Sequence, residues 1–223
     1  ARLGQRLNEP EMSHPVGNST ELQVSDFIFQ ILNSVKDPAV VPLGSSFPSP
    51  FLFPLDKLGR FLCQAARRLD PLSTVTDLPP GNEELRRQIV LRYLSRGAVV
   101  STDEVVVTSG AMEGINLCLQ AVTQPGDLIA IESPTFYAGL QASERLGLKV
   151  IEIPSHPREG ISIQALEDAL RHHPIKACLL MLNFGNPTGS LVSDERKRYL
   201  IDLLGRHNVP LIEDDVYNEL YFG

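Results

Sequence analysis

The sequence predicts an α/β fold, a mostly parallel sheet with helices on both of its faces. From residue 81 onward, short apolar runs alternate with amphipathic stretches of helical period. The runs are apolar at consecutive positions, which is typical of strands that are buried on both faces. Each parallel strand needs a crossover to the next, and the amphipathic stretches supply helices for those crossovers.

For the first 80 residues, the sequence predicts helices and loops but no strands. Residues 1–21 are polar and rich in turn-forming residues, which indicates a linker or arm. Helices are predicted at 24–37 and at 55–69, the second beginning directly after Pro54. We assign 22–80 to a helical arm and part of a small domain, and 81–223 to a large domain.

The large domain is predicted to contain five strands and five helices. A helix at 82–97 comes first and closes at Gly97. The strands and helices then alternate along the chain. The predicted strands are 104–110, 127–134, 149–154, 176–182 and 209–215, and the helices between them are 111–122, 135–147, 162–173 and 193–208.

Composition excludes several classes of protein. A net charge of −7 argues against a nucleic-acid surface, and no apolar run is long enough to span a membrane. Cys63, Cys118 and Cys178 are odd in number and stand among apolar neighbours, which predicts buried thiols in a reducing compartment, the cytoplasm. Neither the cysteines nor the histidines show metal-ligand spacing.

Two strand ends carry residues suited to an anion and to a flat ring. The amides of Gly110, Ala111 and Met112 fall at a predicted helix N-terminus, which favours a phosphate, although an ordinary strand-to-helix turn is the alternative. Phe136 follows the strand at 127–134. It either stacks on a planar ligand or packs in the core.

Two further strand ends carry polar side chains. Asn186 opens the turn Asn-Pro-Thr-Gly after a buried strand and offers both a donor and an acceptor, unless it only forms an Asx turn. Three acids, Glu213, Asp214 and Asp215, end another buried strand, where a carboxylate is costly without a cation. Solvation, a Mg²⁺ site at Asp214 and Asp215, or a protonated ring nitrogen are the alternatives.

An anion, a flat ring, a ring oxygen and a basic ring nitrogen together describe pyridoxal 5′-phosphate. A protein carboxylate such as Asp214 keeps the ring nitrogen of this cofactor protonated. The protonated ring then withdraws electrons from a carbanion.

The chain resembles the fold-type I, class I/II aminotransferases from about Val40 to its end. The resemblance rests on T-S-G-A at 108–111, E-x-P-x-F at 132–136, N-P-T-G at 186–189 and D-x-x-Y at 214–217. It implies the large domain of the pyridoxal-phosphate-dependent transferase fold, incomplete here. The implied cofactor-binding residues are Gly110, Ala111 and Met112 for the phosphate, Phe136 for stacking, Asn186 and Tyr217 for the ring hydroxyl, and Asp214 for the pyridinium.

Within that group the chain is similar to MocR-type regulators of the GntR superfamily. The similarity lies in the phrases LPPGNEELRRQI, GAVVSTDEVVVTSGAMEGINL and IEDDVYNELYFG. It implies an intact homodimeric protein that binds an amino acid or amine and contacts DNA through a winged helix outside this sequence. An ordinary aminoadipate or kynurenine aminotransferase without a DNA-binding domain is the alternative.

The resemblance also implies what this stretch does not contain. The Schiff-base lysine of the fold follows the D-x-x-Y motif in an S-x-S-K segment, which is expected beyond Gly223. No residue is therefore assigned a catalytic role, and this stretch alone is expected to be inactive.

Overall fold

The computed structural model describes residues 11–15, 25–34, 39, 41 and 49–221. The chain divides into two compact units, one of residues 1–32 and 110–223 and the other of residues 33–109. The predicted boundaries after residues 21 and 80 stay predictions. Most of the predicted arm, residues 1–10 and 16–21, lies outside the described residues.

The described helices follow the predicted order. They are α1 (Ser25–Ser34), α2 (Leu55–Ala66), α3 (Ser73–Thr76), α4 (Glu83–Leu94), α5 (Ala111–Val122), α6 (Tyr137–Arg145), α7 (Ile163–His172) and α8 (Asp194–His207). Side-chain caps fix several of their starts. Asn82 accepts the Leu85 amide at α4, Ser162 accepts the Ala165 amide at α7, and Ser193 caps α8.

The strands form one five-stranded sheet and one hairpin. They are β1 (Leu128–Ser133), β2 (Lys149–His156), β3 (Gly160–Ile161), β4 (Ile175–Leu180), β5 (Asn183–Gly185), β6 (Ser190–Leu191) and β7 (Leu211–Glu213). The order in the large sheet is β3-β2-β1-β4-β7, and β5 pairs with β6 alone. Every pair in the large sheet is parallel except β2 with β3, so the predicted mostly parallel sheet is confirmed.

Helices cover both faces of the sheet, as predicted. On one face α5 and α6 pack against alternate residues of the strands, among them Ile129, Ile131 and Leu179. On the other face α7 and α8 pack against the remaining alternate residues, such as Ala130, Cys178 and Leu180. Strands buried on both sides explain why their sequences are apolar at consecutive positions.

The prediction of a strand at 104–110 is wrong. Thr102–Glu104 form a 3-10 turn, and no ladder includes residues 105–110 in the part of the chain that the structure describes. A β-branched run becomes a strand only when a neighbouring strand pairs with it. Here the Val107 amide donates instead to the Pro80 carbonyl, with 2.9 Å between nitrogen and oxygen.

Only one of the three cysteines is buried, so the prediction of three buried thiols is also wrong. Cys178 lies in the sheet, where burial raises the pKa of its thiol to about 12. Cys63 and Cys118 are exposed. Cys63 stands on α2, and none of the residues of this helix is buried in the described chain. None of the described helices is both long and apolar enough to cross a membrane.

Candidate functional site

The carboxyl ends of β1 and β4 lie side by side where the chain reverses direction across the sheet. From β1 the chain passes through α6 to β2 on one side, and from β4 it passes through α8 to β7 on the other. The helices α6 and α8 lie on opposite faces. In open α/β sheets such a switch point leaves a crevice outside the carboxyl ends of the strands, and ligands bind there.

Three of the predicted site residues follow strands that end at this edge. Phe136 comes three residues after β1 and occupies the N-cap position of α6 without a side-chain capping hydrogen bond. The residue is half-buried, and its ring centroid lies 4.5 Å from that of Tyr137. Asn186 lies in the turn between β5 and β6, beyond the end of β4, and is half-buried. Asp214 follows β7 directly. The parallel topology therefore brings Phe136 and Asp214 to one edge, and Asn186 lies in the hairpin that follows β4 there.

The N-terminus of α5 reaches the same edge. Residues 123–127 join the end of α5 to the start of β1, so α5 ends at the opposite, amino edge of the sheet. Its 12 residues span about 18 Å, close to the length of a six-residue strand. α5 packs against β4 and β7. The predicted phosphate site, Gly110–Met112, consists of the N-cap and the first two residues of α5 and thus lies at the level of the carboxyl ends.

Gly110 has a backbone conformation that only glycine adopts readily. Its φ is 141° and its ψ 172°. A Cβ placed on Gly110 would meet nothing within 4 Å, so there is open space beside the helix N-terminus. As the N-cap of α5, Gly110 has no side chain with which to cap the helix. The arrangement suits an anion approaching the first amides of a helix.

Asp214 is a buried carboxylate at this edge. The residue is 8% exposed, and its amide donates to the Leu180 carbonyl across 2.9 Å. Burial raises the pKa of Asp214, the Val216 amide opposes that rise, and the charge of Asp215 adds to it. A cationic group bonded to this carboxylate would offset the cost of its burial. Tyr217, three residues on, is half-buried in the turn that follows.

The flanking acids Glu213 and Asp215 have a different partner. Asn183 Nδ2 lies 2.6 Å from Asp215 Oδ1 and 3.3 Å from Glu213 Oε1. Lys197 Nζ, on α8, donates to Asn183 Oδ1 across 2.5 Å. Sequence reasoning gave Asp215 only the Mg²⁺ alternative and gave Glu213 no role, and it missed Asn183 and Lys197. The period of two in a strand would have placed Glu213 and Asp215 together, but nothing local identifies their partners.

The Mg²⁺ alternative at Asp214 and Asp215 has no support in the structure. The two oxygens of Asp215 accept from Asn183 and Asn218, so this carboxylate is already engaged. Among the residues that the structure describes, no group of three or more His, Cys, Asp or Glu side chains is placed to hold a metal ion.

Comparison with known proteins decides the family. The family model of the class I and II aminotransferases matches residues 63–223. The chain belongs to this family. The resemblance predicted from its motifs is confirmed.

A helix-turn-helix (HTH) regulator is more similar to this chain in sequence than a 2-aminoadipate transaminase is. The HTH-type transcriptional regulator YdcR of Escherichia coli is 49% identical over 209 residues, which cover 94% of this chain and 45% of that protein. The 2-aminoadipate transaminase of Thermus thermophilus is 24% identical over 196 residues, covering 88% of this chain and 48% of the enzyme. The chain spans about half the length of the curated relatives it matches.

Solved aminotransferase structures share the fold. LysN, the α-aminoadipate aminotransferase of T. thermophilus in complex with N-(5′-phosphopyridoxyl)-L-leucine, matches with a TM-score of 0.71 and 25% identity over 80% of this chain and 44% of LysN. An archaeal alanine:glyoxylate aminotransferase matches with a TM-score of 0.74 and 23% identity, over 85% of this chain and 48% of that one. Fold-type I is thereby confirmed.

Proposed function

We propose that this chain is the cofactor-binding part of a MocR-type transcriptional regulator that binds pyridoxal 5′-phosphate and responds to an amino acid or amine. The observation that carries the proposal is Asp214, a buried carboxylate at the switch-point edge with its pKa raised by burial. The 49% identity to YdcR supports a regulator, and the phosphopyridoxyl ligand of LysN supports the cofactor.

The residues at the edge fit this cofactor. Pyridoxal phosphate, when bound, supplies a ring that withdraws electrons. In the proposed site the Asp214 carboxylate holds the proton on the ring nitrogen, and Phe136 covers one face of the ring. The Asn186 amide and the Tyr217 hydroxyl bind the ring oxygen. The amides of Gly110–Met112 hold the phosphate at the N-terminus of α5.

The intact regulator is proposed to be a cytoplasmic homodimer that contacts DNA through a winged helix. The charge of −7 argues that this part contacts no nucleic acid. α2 carries an apolar face that a second copy or the rest of the intact chain would cover, because four of its large side chains are more than half exposed. Those side chains are Leu55, Leu58, Phe61 and Leu62.

A cofactor titration tests the proposed site. The intact protein is titrated with pyridoxal phosphate, following absorbance and fluorescence, and is compared with Asp214→Asn. Losing a charge-assisted hydrogen bond of about 1.5–3 kcal/mol weakens binding roughly 10- to 150-fold. Asp194→Asn, an exposed acid in the first turn of α8, is the matched control and should bind normally. Equal affinity in Asp214→Asn and wild type would refute the site.

A second measurement tests regulation separately. The affinity of the intact protein for its own promoter DNA is measured at fixed salt, with and without pyridoxal phosphate and a panel of amino acids. The proposal expects one amino acid or amine to change that affinity only when the cofactor is bound. Cofactor binding without any change in DNA affinity would contradict the regulator and favour an ordinary aminotransferase.

A further inference from the structure

Glu132 is a buried carboxylate in the crevice between β1 and β4 that the proposed cofactor contacts do not use. It is the last but one residue of β1 and is 5% exposed. Its Oε2 accepts the backbone amide of Met181, with 2.8 Å between oxygen and nitrogen. Met181 is the first residue after β4.

The hydrogen bond from Met181 falls where β1 and β4 separate. The last residues paired between these strands are Ile131 and Leu179. Both strands nevertheless continue with their other neighbours. β1 stays paired with β2 as far as Ser133 and Pro154, and β4 stays paired with β7 as far as Leu180 and Glu213. The Glu132 side chain thus accepts the amide that directly follows β4, which in a longer ladder would pair with the backbone of β1.

We propose that Glu132 is a positioning residue that holds β1 and β4 apart at their carboxyl ends. In this way it sets the separation between Phe136, which follows β1, and Asn186, which follows β4. The inference rests on the proposed function, since these two residues are the proposed contacts to one face and one oxygen of the cofactor ring.

The length of the glutamate suits it to this task. Neighbouring paired strands lie about 4.8 Å apart, and further pairing would bring the two strand ends to that spacing. A carboxylate two methylene groups from the backbone satisfies the buried Met181 amide without bringing the two main chains together. Met181 is itself 4% exposed, so its amide needs a partner within the protein.

Met181 is also packed against the loop that carries Asn186. A Cβ placed on Gly185 would lie 3.1 Å from the Met181 carbonyl oxygen and 3.1 Å from Ser190 Oγ. Gly185 directly precedes Asn186. A shift of the Met181 backbone toward β1 or away from it therefore moves Gly185 and the Asn186 side chain with it.

The test compares Glu132→Gln, Glu132→Asp and Glu132→Ala in the intact protein. Glutamine keeps an oxygen at the same reach, aspartate is too short, and alanine removes the acceptor. Two quantities are measured, the dissociation constant for pyridoxal phosphate and the exchange rate of the Met181 amide hydrogen. We expect Glu132→Gln to stay within about 3-fold of wild type in cofactor affinity and to exchange the Met181 amide hydrogen no faster than wild type. The other two variants should weaken cofactor binding and accelerate this exchange by about 10-fold or more.

The matched control is Glu152→Ala on β2. Glu152 Oε1 accepts from the Ser133 hydroxyl at 3.2 Å, close to the same edge but outside the gap between β1 and β4. It should keep wild-type cofactor affinity. If Glu132→Ala does not fold, the contrast between Glu132→Gln and Glu132→Asp decides the question.

Two outcomes overturn the inference. The first is wild-type cofactor affinity in Glu132→Asp and Glu132→Ala. The second is a loss in Glu132→Gln as large as in Glu132→Asp, which would show that charge matters and reach does not. If the wild type binds no pyridoxal phosphate, the proposed function fails, and Met181 exchange in the cofactor-free variants still decides whether Glu132 holds the strand end.

Discussion

The side chain of Asn183 donates a hydrogen bond to Asp215, with 2.6 Å between Nδ2 and Oδ1. Asn183 also accepts from Lys197, so it links a lysine of α8 to the acids that flank Asp214. Partial desolvation of the carboxylate and the charge of Asp215 raise the pKa of Glu213, and the charge of Lys197 opposes that rise. Glu213 and Asp215 thus share one neutral amide and one cation, which leaves Asp214 on the other side of the strand.

Replacing Asn183 should destabilise the folded protein. Asn183→Ala removes the shared amide and should lower the free energy of unfolding by about 1–2 kcal/mol at pH 7. Asn183→Asp should cost more, because it adds a third carboxylate beside two others. Urea denaturation measures both, with the exposed Gln120→Ala of α5 as a control expected to change stability by less than about 0.5 kcal/mol. Equal stability of Asn183→Asp and wild type would show that Lys197 alone neutralises the acids.

Glu132 predicts a pH dependence of stability. Burial raises its pKa to about 7 from an ordinary 4.5, and the Met181 amide partly opposes the rise. The folded protein therefore holds this proton more tightly than the unfolded chain does. Its contribution to stability is complete below about pH 4.5 and is lost as the pH rises through 7, to a total of about 3 kcal/mol.

Glu132→Gln removes this titration and leaves the others in place. The stability of the variant relative to wild type should therefore rise between pH 5 and pH 8, by up to about 3 kcal/mol. Denaturation of both proteins at a series of pH values, at constant salt, measures the difference. A difference that stays flat over this range would mean that Glu132 titrates at its ordinary pKa in the folded protein.

Gly110 and Gly205 differ in whether their backbone conformation tolerates a side chain. The φ of Gly110 is 141°, so Gly110→Ala places a side chain in a backbone region that only glycine adopts readily. This substitution should cost about 1–3 kcal/mol of stability and weaken phosphate binding at the start of α5. Gly205 lies inside α8, and a Cβ there would meet nothing within 4 Å. Gly205→Ala should instead add about 0.5–1 kcal/mol. Thermal denaturation and titration with inorganic phosphate distinguish the two, and normal stability of Gly110→Ala would argue against a strained turn.

The strands and helices that position the site were predictable because their signals are local. Doubly buried strands such as β1 and β4 are apolar at nearly every position, and helix starts carry their own caps at Asn82 and Ser162. The strand prediction at 104–110 failed because the β-branched residues of this run have a high strand propensity, whereas strand formation also requires a partner strand elsewhere in the chain. The hairpin of β5 and β6 is too short to show a period.

The site was predictable only as far as strand ends could be recognised. Phe136, Asn186 and Asp214 each follow an apolar run, and a parallel sheet places such positions at one edge. Asn183 and Lys197 were not predictable, because their contacts join residues 14 to 32 positions apart. Glu132 was recognised as part of a motif. Its contact with Met181 depends on where β1 and β4 separate, and no local pattern shows that register.

Ser13 links the N-terminal segment to the edge of the sheet that holds the proposed site. Its hydroxyl donates to the Ser133 carbonyl at the end of β1 and accepts the Ser155 amide of β2, with 3.0 Å between Ser155 nitrogen and Ser13 Oγ. Ser13→Ala should cost about 1 kcal/mol and accelerate hydrogen exchange at Ser155, because the amide of this buried residue loses its acceptor.

Ser155→Ala is the matched serine-to-alanine control for that experiment. Ser155 is 4% exposed, and in the described part of the chain its hydroxyl has no hydrogen-bond partner. Removing a buried hydroxyl without a partner should leave stability unchanged or raise it by up to about 1 kcal/mol. A loss of stability in Ser13→Ala without a loss in Ser155→Ala, measured by urea denaturation, would identify Ser13 as the residue that attaches the N-terminal segment to β1 and β2. A loss in Ser155→Ala as large as that in Ser13→Ala would instead mean that any change at this edge is destabilising.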